Sequence, residues 1–176
     1  MIGSWPARPR SPVPHRAYLS LGSNLGNRES NLKQAIERLS RLGQVHSVSS
    51  FYETEPVDFA SQPWFLNCAL AFDTEQMPEQ LLAAILRIEE EFGRHRSADQ
   101  PKGPRTLDID IVLFDSCVIS TPRLIVPHPA MHERAFVLEP LAEIAPEEWH
   151  PVLKKTVVQL RDALPPGAVV RPLPGG

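Results

Sequence analysis

The sequence predicts an α+β fold in which four strands alternate with two amphipathic helices and further helices follow. Three observations carry this. The apolar run from Leu107 to Phe114 reads as a central strand, interrupted only by Asp108 and Asp110. Leu32, Ala35, Ile36 and Leu39 recur at helical spacing, as do Leu81, Leu82, Ile85, Ile88 and Phe92. A glycine stops each helical pattern, Gly43 the first and Gly93 the second.

Taken in order, residues 1–15 hold Pro6, Pro9, Pro12 and Pro14 among basic residues and read as a disordered arm. Ala17–Leu21 is a short strand. It runs into a loop, Gly22 to Asn27, and a helix to Leu42. Val45–Glu53 is the second strand. Trp64–Phe72 is the third, and its poor alternation predicts burial on both faces. Pro78 opens the second helix from its first turn. Arg94–Pro104 is a polar, basic loop that leads into the fourth strand. Beyond it come an extended piece (Arg123–Val126), a helix over Arg134–Ile144 with Pro140 as a point of breakage, and a helix over Thr156–Leu164 capped by Thr156. Pro165–Gly176 reads as a flexible tail. The order β-α-β-β-α-β with an α-rich C-terminal appendage is that of a split βαβ, ferredoxin-like core. The first and fourth strands are expected as its central pair, in a single domain spanning 16–164.

Length and composition bound the function. The 176 residues suffice for one domain with a sizeable core. A net charge of -3 argues against a general nucleic-acid or membrane surface. Cys68 and Cys117 are far apart in apolar surroundings and read as reduced thiols. No stretch is long and apolar enough for a membrane span or a signal peptide, so the expected compartment is the cytoplasm.

The chemistry centres on Asp108 and Asp110. At i and i+2 in a strand they share a face, roughly 7 Å apart. Leu107, Ile109, Ile111 and Leu113 are expected on the other face, with Val112 and Phe114 continuing the aspartate side. Two ionised carboxylates in an apolar strand repel and are poorly hydrated, so a positive partner must offset them. Mg²⁺ accepts such oxygens and keeps positions for phosphate. Arg94, Arg96, Lys102 and Arg105 precede the pair closely enough to fold over a polyphosphate. The bland alternative is a solvated strand face beside a solvated loop.

Other motifs are more ambiguous. The Gly22–Asn27 loop could present N–H groups to an anion, or be a turn with a helix cap. His128 and His132 are four apart, but Pro127 and Pro129 flank the first, and nothing nearby completes a zinc set. His128 hydrogen-bonding a phosphate fits better. Gln62 to Asn67 combines aromatics with an amide, which suits either ordinary core or a flat heterocycle stacked and read at its edge.

From about residue 17 to about residue 146 the chain resembles the 6-hydroxymethyl-7,8-dihydropterin pyrophosphokinase (HPPK) family. The resemblance rests on Tyr18-Leu19-Ser20-Leu21-Gly22-Ser23-Asn24-Leu25-Gly26, Ser50-Phe51-Tyr52-Glu53-Thr54-Glu55-Pro56-Val57, and Gln62-Pro63-Trp64-Phe65-Leu66-Asn67. It continues through Gly93-Arg94-His95-Arg96, Gly103-Pro104-Arg105-Thr106-Leu107-Asp108-Ile109-Asp110, and Val126-Pro127-His128. It implies transfer of pyrophosphate from ATP to the pterin hydroxymethyl group, releasing AMP, in folate biosynthesis. Asp108 and Asp110 would hold two Mg²⁺ ions, and Arg94 and Arg105 would act with them in catalysis. Glu89, Arg94, Arg96, Arg105, Ile111, Arg123, His128 and Arg134 would form the ATP site. Thr54, Pro56, Val57, Phe65, Asn67 and Phe136 would bind the pterin, with Phe65 and Phe136 sandwiching the ring. The implied partners are ATP and the dihydropterin alone, with no nucleic acid or membrane and a monomeric protein. Lys102 stands where some members carry Trp. Two other classes fit the residues less fully: another two-metal phosphoryl or nucleotidyl transferase, and a ligand-sensing ferredoxin-like binding module.

Overall fold

The computed structural model describes residues 14–55, 63–93 and 106–173. Strand β1 (His15–Ser23) begins earlier than its apolar run, because Asp115 secures the two polar residues at its start. That carboxylate meets the His15 ring at 2.6 Å and accepts the Arg16 N–H at 2.8 Å. Helix α1 (Arg28–Ser40) is capped by Asn27, whose side chain accepts the Ser30 N–H, and it buries Leu32, Ala35 and Leu39. The expected strand over 45–53 is split into β2 (Gln44–Val48) and β3 (Tyr52–Thr54), which lie end to end along β4 (Phe65–Thr74). At the break Ser49 replaces a ladder bond with its side chain. Its N–H donates to Ala69 O, and its Oγ accepts the Ala69 N–H.

Helix α2 (Pro78–Glu91) starts at Pro78 as expected and ends at Gly93, whose φ of +79° suits a residue without Cβ. Strand β5 (Asp108–Phe114) is followed by the small hairpin β6 (Ile119–Ser120) and β7 (Ile125–Val126), a cis Val126–Pro127 bond and a 3₁₀ turn at Met131–Glu133. Helix α3 (Ala135–Ile144) continues through Pro140, forgoing one internal bond while keeping its apolar face buried. The hairpin β8 (Trp149–His150) and β9 (Lys155–Thr156) leads into α4 (Val157–Asp162), which Thr156 and Gln159 cap reciprocally. The chain then forms β10 (Val170–Pro172), so the stretch expected to be a flexible tail pairs antiparallel with β3. The N-terminal arm through residue 13 lies outside the described residues.

The main sheet runs β10–β3–β4–β1–β5, with β2 also on β4. This corrects the expected central pair. β1 and β4 occupy the middle, and the Asp-x-Asp strand β5 sits at the rim. It is as apolar as a central strand because its rim is covered. Glu89 Oε2 accepts the Ile109 N–H at 2.8 Å, and the His128 N–H donates to Val112 O at 2.9 Å.

A second correction concerns side-chain parity. Opposite β5, Leu19 faces Ile111 and Tyr18 faces Leu113, so Val112 is an extra residue at a bulge. Beyond it the faces swap. Phe114 joins Ile109 and Ile111 in one core, while Leu113 joins Val112 in the other.

Both faces are layered. Leu19, Leu21, Leu66, Leu70, Phe72, Ile109 and Ile111 pack against α1 and α2. On the opposite face Tyr18, Ala69, Ala71, Val112 and Leu113 pack against α3 and α4. The small side chains of Ala69 and Ala71 let α3 lie close on β4. Among the described residues no helix is long and apolar enough to cross a membrane.

Candidate active site

Residues paired across neighbouring strands share a face, so register locates the site. Asn67 on β4 and Asp108 on β5 both pair with Gly22 of β1, one on each side. One step along, Ala69 and Asp110 flank Ser20 in the same way. Thr54 pairs with Phe65 at the β3 end of this face. Thr54, Phe65, Asn67, Asp108 and Asp110 therefore share the α3 face of the sheet, next to the residues that α3 covers.

Gly22 is required at the centre. A Cβ there would meet Asn67 Nδ2 at 2.7 Å and Phe65 Cδ1 at 3.5 Å. The amide of Asn67 is buried and its orientation is set. Thr54 Oγ1 donates to its Oδ1 at 2.6 Å, and its Nδ2 donates to Leu21 O at 3.4 Å. One further N–H and one lone pair remain in the side-chain inventory, suited to a heterocycle edge that offers acceptor and donor side by side.

Asp108 and Asp110 are both half-buried. Among the described residues no group of three or more His, Cys, Asp or Glu could hold a metal. A pair of carboxylates without His or Cys suits Mg²⁺, which takes one or two carboxylates and fills its sphere with water and substrate phosphate, and does not suit zinc. His132 lies in the 3₁₀ turn, so no helix carries it and His128 together.

His128 lies within electrostatic reach of both Asp108 and Arg134. Burial and then the Arg134 charge push its pKa below the ordinary value, while Asp108 opposes them. Its Nδ1 accepts the Ala130 N–H at 3.1 Å, which places the proton of the neutral ring on Nε2. Arg134 precedes α3, with its guanidinium 5.4 Å from the centre of the Phe136 ring. Phe136 is partly buried against the α3-side core. Arg123 is exposed in the turn between β6 and β7, and its N–H donates to Thr121 Oγ1.

Two expected ATP residues lie elsewhere. Ile111 packs its side chain into the α1/α2 core, so any ligand contact falls to its backbone. Glu89 is buried on α2, where it holds the Ile109 N–H. Pro56, Val57, Arg94, Arg96, Lys102 and Arg105 lie outside the described residues.

Of the expected Gly22–Asn27 loop, Gly22 and Ser23 belong to β1, and the remainder leads to the Asn27 cap of α1. Asn24 Nδ2 donates to Pro63 O at 3.1 Å. Asn31 Nδ2 ties Ser23 Oγ, Leu25 O and Thr106 O together, fixing the entry to the Asp-x-Asp strand. Sequence reading missed Asn31, a polar position on an exposed turn of an amphipathic helix. It also missed Ser20, whose pairing with Asp110 needs the register to be seen.

The sequence model of the family described as 7,8-dihydro-6-hydroxymethylpterin-pyrophosphokinase (HPPK) matches residues 18–146. A 2-amino-4-hydroxy-6-hydroxymethyldihydropteridine pyrophosphokinase of Bacillus subtilis is 50% identical over 130 residues, covering 73% of this chain and 77% of that protein. One of Methylorubrum extorquens is 46% identical over 134 residues, covering 75% and 84%. The Folic acid synthesis protein FOL1 of Dictyostelium discoideum is 39% identical over 157 residues, but this chain spans only 24% of its length. Among solved structures, Plasmodium falciparum HPPK-DHPS, wild type with pterin and p-hydroxybenzoate, aligns with a TM-score of 0.67 at 18% identity, over 88% of this chain and 44% of that one. That likeness speaks for the fold. The matched span contains every described residue of the candidate site, and the chain belongs to the 7,8-dihydro-6-hydroxymethylpterin pyrophosphokinase (HPPK) family.

Proposed function

We infer that this chain transfers pyrophosphate from ATP to the hydroxymethyl group of 6-hydroxymethyl-7,8-dihydropterin, releasing AMP, and that the polar part of the α3 face is where it does so. The observation that carries the assignment is the row Asn67–Gly22–Asp108. Two strand spacings separate its ends by about 10 Å. A ring read by Asn67 can thus extend its hydroxymethyl arm towards phosphate held at the carboxylates. Gly22, having no side chain, leaves room for the Asn67 amide that lies over it.

The chain's own part is positioning and charge. Asp108 and Asp110 would hold the Mg²⁺ ions, two in this reading. Bound there, Mg²⁺ would supply positive charge against the polyphosphate and the attacking hydroxyl. Phosphoryl transfer of this kind needs little covalent help, so in-line alignment supplies most of the acceleration. His128, neutral with its N–H on Nε2, would donate to a phosphate oxygen. Arg94 and Arg105 would grip the transferred group, with Arg96, Arg123 and Arg134 as further phosphate contacts. Phe65 and Phe136 would stack on the pterin, Asn67 would read its edge beside Thr54, and Pro56 and Val57 would supply backbone.

The strand order supports a ferredoxin-like core with the helical and hairpin elements after β5 as its appendage, in a single catalytic domain whose expected limits of 16 and 164 widen, because β1 starts at His15 and β10 completes the same sheet. A net charge of -3 fits a protein that acts on two small molecules and not on nucleic acid or a membrane surface, and in this reading it works as a cytoplasmic monomer. Incubating the purified protein with ATP, Mg²⁺ and the dihydropterin alcohol tests the reading. AMP should appear in step with pterin consumption. ADP or free pyrophosphate as the product would point to a different transferase, and no turnover would overturn the enzyme reading.

A further inference from the structure

β10 lies beyond the span that the family's sequence model matches, yet it is built into the wall of the candidate pterin site. The rows across the sheet show how. Val170 pairs with Thr54, which pairs with Phe65. Pro172 pairs with Tyr52, which pairs with Asn67. Without β10, the three-residue strand β3 would be a rim strand held by β4 on one side only. Thr54 orients the Asn67 amide, so the setting of that amide depends on where β3 lies. The pairing continues past both ends of β3. The Glu55 N–H donates to Val169 O at 3.3 Å, and the Leu173 N–H donates to Phe51 O at 2.8 Å.

Arg171 adds a clamp made of side chains. Its guanidinium lies 4.9 Å from the centre of the Trp64 ring and donates to Glu53 Oε2 at 3.3 Å. Arg28 donates to Glu53 Oε1 at 2.8 Å and to Trp64 O at 3.0 Å. Trp64 is therefore held at its ring by β10 and at its carbonyl by α1, and it is bonded directly to Phe65. The Arg171–Glu53 pair is exposed enough on the arginine side to add little stability by itself. The geometric effect of these contacts is larger, because they fix the residue before the proposed stacking ring from two sides.

We propose that β10 is a strap that positions the pterin pocket, with Arg171 as its principal positioning residue. This rests on the reading of Thr54, Phe65 and Asn67 as the pterin site. Arg171 touches neither substrate. It acts by holding Trp64 and Glu53, and through them Phe65 and Thr54.

The test uses the full chain carrying Arg171→Ala, Arg171→Glu or Arg171→Lys, with Phe65→Ala as the marker of the site itself. Arg171→Ala should raise the KM for the pterin about fivefold, and Arg171→Glu, which sets two carboxylates against each other, about tenfold or more. Arg171→Lys keeps a cation over the indole and should recover most of the loss. The KM for ATP and kcat should stay within about twofold in all three, because the carboxylate end is untouched. A lowered melting temperature with an unchanged pterin KM would make β10 structural only and overturn the strap. Equal rises in both KM values would overturn it too. If Arg171→Glu does not fold, Arg171→Ala decides. If Phe65→Ala also leaves the pterin KM unchanged, the pterin-site reading has failed; if Phe65→Ala raises it and the Arg171 variants do not, the strap alone has failed.

Discussion

The same three strands, β1, β4 and β5, present two faces of opposite design. Towards α1 and α2 the inward residues are aliphatic or aromatic and almost fully buried, from Leu19 and Leu21 through Phe72 to Ile109. Towards α3 and α4 the apolar cover stops part-way. It takes in Tyr18, Ala69, Ala71 and Val112, and beyond it the face carries Ser20, Asn67, Asp108 and Asp110, with Thr54 of β3 alongside. A carboxylate pair sealed under a helix would lose its hydration with nothing in return. If Asp108 and Asp110 hold Mg²⁺ as proposed, the second layer has to end where metal and phosphates can approach. One face stabilises the molecule, and that stability allows the other to keep a repulsive pair.

The division can be broken or sharpened by substitutions that belong to one face only. Phe72→Ala should cost the most, about 3–5 kcal/mol of unfolding free energy in a denaturant titration. The KM values of the folded enzyme should not change. A shifted KM would mean that the apolar face also shapes the site. Asp110→Ala should do the reverse, costing about 3 kcal/mol of transition-state stabilisation in the AMP assay. The variant should still unfold cooperatively, so that the loss is one of turnover and not of fold. Near-normal turnover at saturating Mg²⁺ would remove the carboxylates from the mechanism.

Asn67→Ala should lower discrimination between the pterin and a plain purine by about 1–3 kcal/mol, the cost of unmade buried hydrogen bonds. Phe65→Ala should weaken pterin binding with less effect on that discrimination, because any planar ring can stack. Calorimetry with a non-reactive ATP analogue present would separate the two, and equal effects would count against the division of labour.

The smallest effect concerns His150, which lies away from the site in the β8–β9 hairpin. It is buried, and its Nδ1 accepts the Val152 and Leu153 N–H groups. Burial first, and His132 second, push its pKa below the ordinary value. The unfolded chain then takes up this proton at higher pH than the folded one. Stability should be full above the unfolded value of about 6.5 and fall as pH drops from there towards the lowered folded value. His150→Gln should flatten that slope in pH-dependent melting curves, with pterin and ATP KM values unchanged at neutral pH.

Local patterns in the chain were enough to locate most of what is close in sequence. The two amphipathic helices, the Gly93 stop, the Thr156 cap and the shared face of Asp108 and Asp110 all follow from short-range spacing, whereas Gly43 lies beyond the end of α1 and is small because it passes close to Phe72 and the Asp73 carbonyl on β4. What depended on partners was hidden. In Ile111-Val112-Leu113-Phe114 every residue is apolar, so no alternation marks the bulge at Val112. The rim position of β5 was illegible because Glu89, from another helix, and His128, from a later loop, give it the surroundings of an inner strand. β10 is three residues ending in proline, and only its pairing with β3 makes it a strand. The site was legible where motif residues lie within one strand, and less so where it needs register, as for Ser20 and Gly22.

The treatment of the sheet's rims bears on how copies of this protein meet at high concentration. An open rim strand is a template on which another chain can add its own strand, the first step of edge-to-edge aggregation. Here one rim is occupied by Glu89 and the His128 segment, β10 ends in Pro172, and β2 carries an irregularity at His46 that spoils a straight run of donors and acceptors. No rim strand among the described residues offers a long, flat, unpaired ladder. Crowding should therefore bring copies together only through side-chain surfaces, reversibly, and not by lengthening the sheet.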